Sequence, residues 1–256
     1  MTNRELLRIA LEQSALDLGC APEDFDKDEP VLVRSVCHPQ ARKYLKLPFF
    51  CNLVTYGKNV VASVSEEAEP LVREYLSHCH TAYEAFETPR LHQLDEAAAP
   101  FGQVSCFMAE YFLPDVTALH PQPCDLELRV LGPANFGPLY TPEWSNALCE
   151  SRKHLDVIGV GAYDDGKLVG LAGASADGEE MWQIGIDVLP GYRRKGLAKA
   201  LVSRLALEIL DKGKVPFYCC AWSNVASART AIASGFRPAW VEMTLKPREF
   251  VNDMLK

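Results

Sequence analysis

Apolar residues recur along the chain in two rhythms, one helical and one alternating. Leu7, Leu11 and Leu18 with Ala10 and Ala15 mark a single helical face, opened by a T-x-x-E capping box at Thr2 and Glu5 and stopped at Gly19. A polar, acidic loop runs on through Glu29. The apolar runs 49–56 and 60–64 flank Gly57-Lys58-Asn59 and predict a hairpin. Pro70, placed for a first helical turn, predicts a helix to about Cys79, and a helix over 91–99 and a strand over 104–112 follow. Pro114, Pro121 and Pro123 then predict a linker, which divides the chain into domains at 1–120 and 124–250.

The second domain is read more sharply. A strand is expected over 126–131. Thr141-Pro142-Glu143, an N-cap followed by proline at the first helical position, predicts a helix over 142–149. Runs 157–163 and 168–174, joined by Asp164-Asp165-Gly166-Lys167, form the clearest hairpin in the sequence. A strand over 181–188 reaches the turn at Pro190-Gly191, and a helix with Leu197, Leu201, Leu205 and Ile209 on one face ends at Lys212-Gly213. A strand over 215–222, a helix over 224–234 closed by Gly235 and a strand over 239–245 complete the order strand, helix, three strands, helix, strand, helix, strand.

Composition changes this picture little: 48% of the 256 residues are apolar and 23% charged, which leaves no segment to be read as disordered. The formal charge of -8 argues against a nucleic-acid partner, because phosphate neutralisation needs an excess of Lys and Arg, and suits a small amine-bearing partner better. The N-terminal stretch carries acidic residues and no uninterrupted apolar core, so neither a signal peptide nor a membrane anchor is expected, and the protein is expected to be cytoplasmic. Nine cysteines then read as reduced thiols. Cys219-Cys220 lacks a C-x-x-C partner or a nearby histidine, and is expected to be a pair of buried structural thiols. His78 and His80 lie two apart in a segment read as helical, a spacing unsuited to shared ligation, and no metal site is expected.

One stretch carries chemistry. The strand ending at Val188 feeds Arg193-Arg194-Lys195-Gly196-Leu197-Ala198, which opens a helix. Unpaired helix N–H groups and the helix dipole both favour an anion at such a start, and a glycine lets it approach the backbone closely.

These residues resemble the GCN5-related N-acetyltransferase (GNAT) superfamily. Its acyl-coenzyme A signature Q/R-x-x-G-x-G/A is matched by Arg193, Gly196 and Ala198, and its next helix by Trp222-Ser223-Asn224 with Ser227 and the closing pair Gly235-Phe236. The resemblance covers residues 124–246. It looks most like the branch with an extra N-terminal domain that includes glycine N-acyltransferase-like members. It implies an α/β fold with a mixed, mostly antiparallel sheet flanked by helices, and an N-terminal α/β domain that is itself a worn copy of that half. It implies acetyl-coenzyme A as co-substrate, no metal, backbone contacts from Ile186, Asp187 and Val188, a phosphate loop of Arg193, Arg194, Lys195, Gly196, Leu197 and Ala198, and further contacts from Asn224 and Ser227.

The activity so implied is transfer of an acetyl group to a primary amine of a small molecule or amino acid by direct attack. The sequence departs from the family where proton transfer is concerned. Positions on the strand where a glutamate often stands are Trp182, Ile184 and Ile186, alternation puts Gln183 and Asp187 on the other face unless a bulge intervenes, and the family's usual tyrosine is replaced by Ala231. Ser227 or Ser223, Tyr218, or a water held by Glu143, Glu150 or Glu180 are the substitutes, with Ser227 and Tyr218 the catalytic candidates. Positioning alone would also accelerate transfer to a neutral amine. The N-terminal domain is expected to wall one side of the substrate cleft or to form a homodimer. The alternative reading is a non-catalytic acyl-coenzyme A-binding sensor with the same fold. A redox or metal protein built on the cysteines is disfavoured by their spacing.

Overall fold

In the computed structural model, which describes residues 1–256, the first half of the chain runs α1 (Asn3–Leu18), β1 (Val31–Arg34), β2 (Cys51–Thr55), β3 (Val61–Val64), α2 (Glu69–Ser77), α3 (Thr88–Ala98) and β4 (Gln103–Pro114). The second half continues β5 (Glu127–Leu131), α4 (Pro133–Phe136), β6 (Asp156–Asp164), β7 (Lys167–Ser175), β8 (Met181–Val188), α5 (Leu197–Asp211), β9 (Val215–Ala221), α6 (Val225–Ala233), β10 (Phe236–Pro247) and α7 (Arg248–Met254). No helix is long and apolar enough to cross a membrane. The mixed α/β architecture is the expected one.

The expected consecutive domains at 1–120 and 124–250 are corrected. The chain forms two interleaved units, one of Met1–Ile9 with Phe112–Pro238 and one of Ala10–Tyr111 with Ala239–Lys256. The reason is covalent: β4 passes from one unit to the other after Tyr111 and β10 after Pro238, so the prolines at 114, 121 and 123 lie inside the first unit and separate nothing.

In the first unit the strand order is β9-β8-β7-β6-β5, antiparallel except for the parallel pair of β8 and β9. The hairpin of β6 and β7 turns where expected, with Asp165 and Gly166 both at positive φ. Along α5, Leu197, Leu201, Leu205 and Ile209 are buried against Ile158, Val160, Val169 and Ile184, as the helical period predicts. The opposite sheet face is covered by residues 142–148. No helix forms there. The chain makes a single 3₁₀ turn over Pro142–Trp144, after which the backbone N–H groups of Asn146 and Ala147 donate to Asp187 rather than up a helical ladder. Gly173 and Gly185 admit this close approach, since a Cβ on either would stand 2.0 Å from the Ala147 carbonyl oxygen or 1.8 Å from that of Asn146.

The second unit orders its strands β1-β3-β2-β10-β4, with β1 parallel to β3 and β2 antiparallel to both β3 and β10. The expected hairpin of β2 and β3 is present, and α2 and α3 lie over its buried Leu53, Ala62 and Val64 together with Met243 and Leu245 of β10. Four-residue β1 has no counterpart in the sequence reading because its only support is the distant parallel partner β3.

Candidate functional site

The first unit's sheet forks. β8 pairs with β9 only from Met181↔Val215 to Ile184↔Tyr218, whereas its antiparallel pairing with β7 continues to Val188↔Gly170 without a register shift. The Leu189 N–H donates to the Val169 carbonyl at 3.0 Å. Backbone direction alternates along a strand, so the N–H and C=O groups of Ile186 and Val188 face the fork. The Val188 carbonyl accepts from Arg193 Nε at 2.8 Å, which ties the strand end to the loop that follows. What remains is a short sheet edge, open to an extended ligand that can hydrogen-bond as an added strand would.

The loop after β8 turns through Pro190–Tyr192, then places Arg194 at φ 61° and Gly196 at φ 82° before α5 begins. Arg194 holds a conformation that costs a non-glycine residue energy, and Gly196 holds it without a side chain over the helix start. No side chain caps α5, so its first amides stay available to an anion. These parts line a cavity of about 580 Å³. Of the expected ligand-binding residues, Ile186, Asp187 and Val188 of β8 line it, as do Arg193, Arg194, Gly196, Leu197 and Ala198, and Asn224 and Ser227 at the start of α6.

Lys195 lies outside this lining. Its ammonium lies over the Tyr192 ring at 5.5 Å, and the residue lines an adjoining depression that shares Tyr192, Gly196, Leu197 and Lys199 with the cavity and continues to Cys124 and Asp125. The left-handed residues on either side turn its side chain away from the cavity. Two cations that the motif does not include line the cavity, Lys199 in the first turn of α5 and Arg229 on α6. Helical spacing carries the signal for Arg229, which stands three residues beyond Ala226 on the lining face.

At the fork, Tyr218 and Ser227 meet. The two hydroxyls are 2.7 Å apart, and Ser227 is fixed in turn by its N–H, which donates to Asn224 Oδ1 at 3.2 Å. Asn224 therefore caps α6 as well as lining the cavity. Burial, followed by the neighbouring Cys220, Cys219 and Asp187, raises the Tyr218 phenol above its ordinary value despite the hydrogen bond shared with Ser227, so the phenol is protonated at neutral pH. Ala231, one turn beyond Ser227, is fully buried.

Asp187 faces the cavity from the other side of β8. Its carboxylate accepts from the Asn146 N–H at 2.8 Å, the Asn146 amide at 2.7 Å and the Ala147 N–H at 2.9 Å. Strand alternation thus holds: Ile184 is in the core, while Gln183, on the Asp187 face, donates to Cys219 Sγ at 3.1 Å. Cys219 and Cys220 are half-buried and not the buried pair expected. None of Ser223, Glu143, Glu150 or Glu180 lines the cavity, and Glu180 is paired with Lys214 at 2.8 Å. Of the substitutes named from sequence, only Ser227 and Tyr218 are brought together.

The family model for GNAT acetyltransferase matches residues 54–239, beginning in β2 and so well before the stretch from residue 124 that carries the motifs. No curated protein matches the chain. Among solved structures, a GNAT-family protein from Novosphingobium aromaticivorans is 22% identical with a TM-score of 0.43, over 56% of this chain and 66% of that one. A GNAT-family acetyltransferase from Colwellia psychrerythraea is 17% identical with a TM-score of 0.43, over 56% and 57%. A GCN5-related N-acetyltransferase-like protein from Streptococcus suis is 20% identical with a TM-score of 0.45, over 60% and 69%. The chain thus spans less than two thirds of the length of the first two.

Proposed function

The chain belongs to the GNAT acetyltransferase family, and from that premise we propose that it is an N-acyltransferase that moves the acetyl group of acetyl-coenzyme A to a primary amine of a small molecule or amino acid. The observation that carries the reading is the fork: an open backbone edge at Ile186 and Val188 beside an uncapped, cation-lined helix start, with a protonated phenol at the branch point.

The residues present fit the co-substrate. The bare backbone at Gly196 and the first amides of α5 suit a pyrophosphate, with Arg193, Arg194, Lys199 and Arg229 adding charge. The edge at Ile186 and Val188 suits the amides of an extended chain. Bound there, acetyl-coenzyme A supplies an activated acyl thioester. The Val188 N–H is free to donate to a carbonyl oxygen at the fork. Tyr218 Oη holds the proton that a departing thiolate needs, and the phenolate so formed is restored by the proton that the attacking amine gives up, relayed through Ser227 Oγ within hydrogen-bond reach. Asp187 accepts three hydrogen bonds and has room for about one more, which an ammonium can fill. That carboxylate and the charge of -8 both support an amine as acceptor.

The test incubates purified protein with acetyl-coenzyme A and a panel of primary amines and amino acids, following thiol release above an enzyme-only blank and acetylated product by mass spectrometry. Release with at least one amine is expected. Tight binding of acetyl-coenzyme A with no product from any amine would make the protein a binder, and absence of binding would overturn the site.

A further inference from the structure

The second unit encloses a cavity of about 390 Å³ that acyl transfer leaves unused. Its floor is the sheet face away from the α2–α3 core. Phe107, Ala109 and Tyr111 of β4 and Glu242, Thr244 and Lys246 of the neighbouring β10 project onto it from alternate positions, while the intervening Met243 and Leu245 point into the core. Lys46, Phe49 and Phe250 stand at its sides.

The two ends differ in charge. At one, Glu242 is fully engaged, paired with Arg42 and accepting from Trp240 Nε1 at 2.8 Å and from the Tyr111 hydroxyl at 3.3 Å. At the other, Lys46 and Lys246 have no carboxylate within ion-pair distance. Each ammonium lies over a phenyl ring instead, Lys46 at 5.6 Å from Phe250 and Lys246 at 5.9 Å from Phe49. Four residues of strand separate Glu242 from Lys246, about 13 Å, too far for Glu242 to neutralise the lysines. Burial, with the charge of Lys46 opposing it further, holds the Lys246 ammonium below the usual lysine range, a cost that a bound anion would reverse.

Aromatic walls with two uncompensated cations at one end are complementary to an anion with an apolar body. We propose that the second unit binds a small carboxylate carrying an aromatic or alkyl body, its charge between Lys46 and Lys246 and its body against Phe49, Phe107 and Phe250. An α-amino acid is too short to reach both lysines and Glu242, so the apolar acid is the class the cavity selects.

The probe is 4-phenylbutyrate, titrated calorimetrically into the full chain, with 4-phenylbutyramide as its neutral counterpart. Saturable binding is expected at one site per chain, weakened about tenfold or more in the amide and in Lys46→Gln and Lys246→Gln. Both lysines reach solvent, so these variants should melt as the parent does. Ala109→Leu, which fills the floor and keeps both charges, should weaken the probe comparably. Gly196→Asp, altered only at the phosphate loop of the first unit, should bind it unchanged. Equal affinity for acid and amide, binding that survives both lysine changes, loss of binding in Gly196→Asp, or no saturable binding at millimolar probe would each overturn the assignment. None of these readouts depends on transferase turnover, so the proposal stands or falls separately from that activity.

Discussion

The phosphate loop can be tested by separating strain from charge at Gly196. At φ 82° any L-residue there is strained, and a Cβ would meet Lys199 Cε at 3.2 Å, the end of a flexible side chain. Gly196→Ala and Gly196→Asp each carry a backbone cost, about 1–2 kcal/mol for Ala and no more than that for Asp, and the same small displacement of Lys199. They differ by one carboxylate. With a pyrophosphate over the amides of α5, that carboxylate would stand about 4 Å from it, where two unit charges repel by about 4 kcal/mol at an effective dielectric near 20, or nearly three decades in affinity. Gly196→Ala should lose tenfold or less in coenzyme A affinity, and Gly196→Asp a further ~100- to 1,000-fold, a gap that narrows as salt is added. Calorimetric titration with coenzyme A at two ionic strengths measures the gap, and melting curves check that the aspartate variant is destabilised no more than the alanine one. Equal affinities in the two variants would refute the placement of the phosphates.

Two further predictions concern the fork and the covering segment. Tyr218→Phe keeps the ring packed against Phe112 and Phe236 and removes only the hydroxyl, so kcat should fall by about 100-fold or more while coenzyme A binding holds; an unchanged kcat would reject Tyr218 as the donor. Because burial raises the phenol, its proton is lost only as pH climbs through that raised value, and the parent's kcat should show no loss of the donor through the mildly alkaline range. Gly185→Ala must push Asn146 away by about 1 Å to reach the 3.0 Å that real Cβ contacts keep, loosening the bonds to Asp187. It should cost about 1–3 kcal/mol of stability and raise KM for the amine far more than for acetyl-coenzyme A, and an unaltered melting temperature would refute the tight seat.

What the sequence made legible was what local rules decide. The stripe on α5, the hairpin turn at Asp165-Gly166 and the glycine at the helix start follow from period, turn chemistry and dihedral freedom, each a property of a few neighbouring residues. What escaped was decided at a distance. Residues 142–149 have a good helix start, yet Asp187, some forty positions away, draws their amides off the helical ladder. Lys195 looked equivalent to Arg193 and Arg194 as a charge, but, with a left-handed residue on each side, it lies over the Tyr192 ring in the adjoining depression. Tyr218 and Ser227 were two candidates in a longer set because nothing local says that a strand residue and a helix residue touch. The consecutive domain boundary failed for the same reason, since β4 and β10 read as single strands and give no sign of serving two units.

The fork itself explains why the hydroxyl comes from β9. Where a parallel pair separates, the last paired residues are the only ones whose side chains can stand beside newly opened backbone while their own strand is still held in register. Here those residues are Ile184 and Tyr218. Both side chains turn to the same face and enter the same core, and of the two only Tyr218 carries a polar group, which meets Ser227 at the capped start of α6. In the family pattern the tyrosine rises from the helix, at the position of Ala231. That position is fully buried in this chain, in the same core as Phe112, Tyr218 and Phe236, where a larger side chain would overpack. The buried tyrosine of β9 and the small residue of α6 thus share one core: the strand brings the hydroxyl to the fork, and the helix contributes a small side chain to the packing behind it.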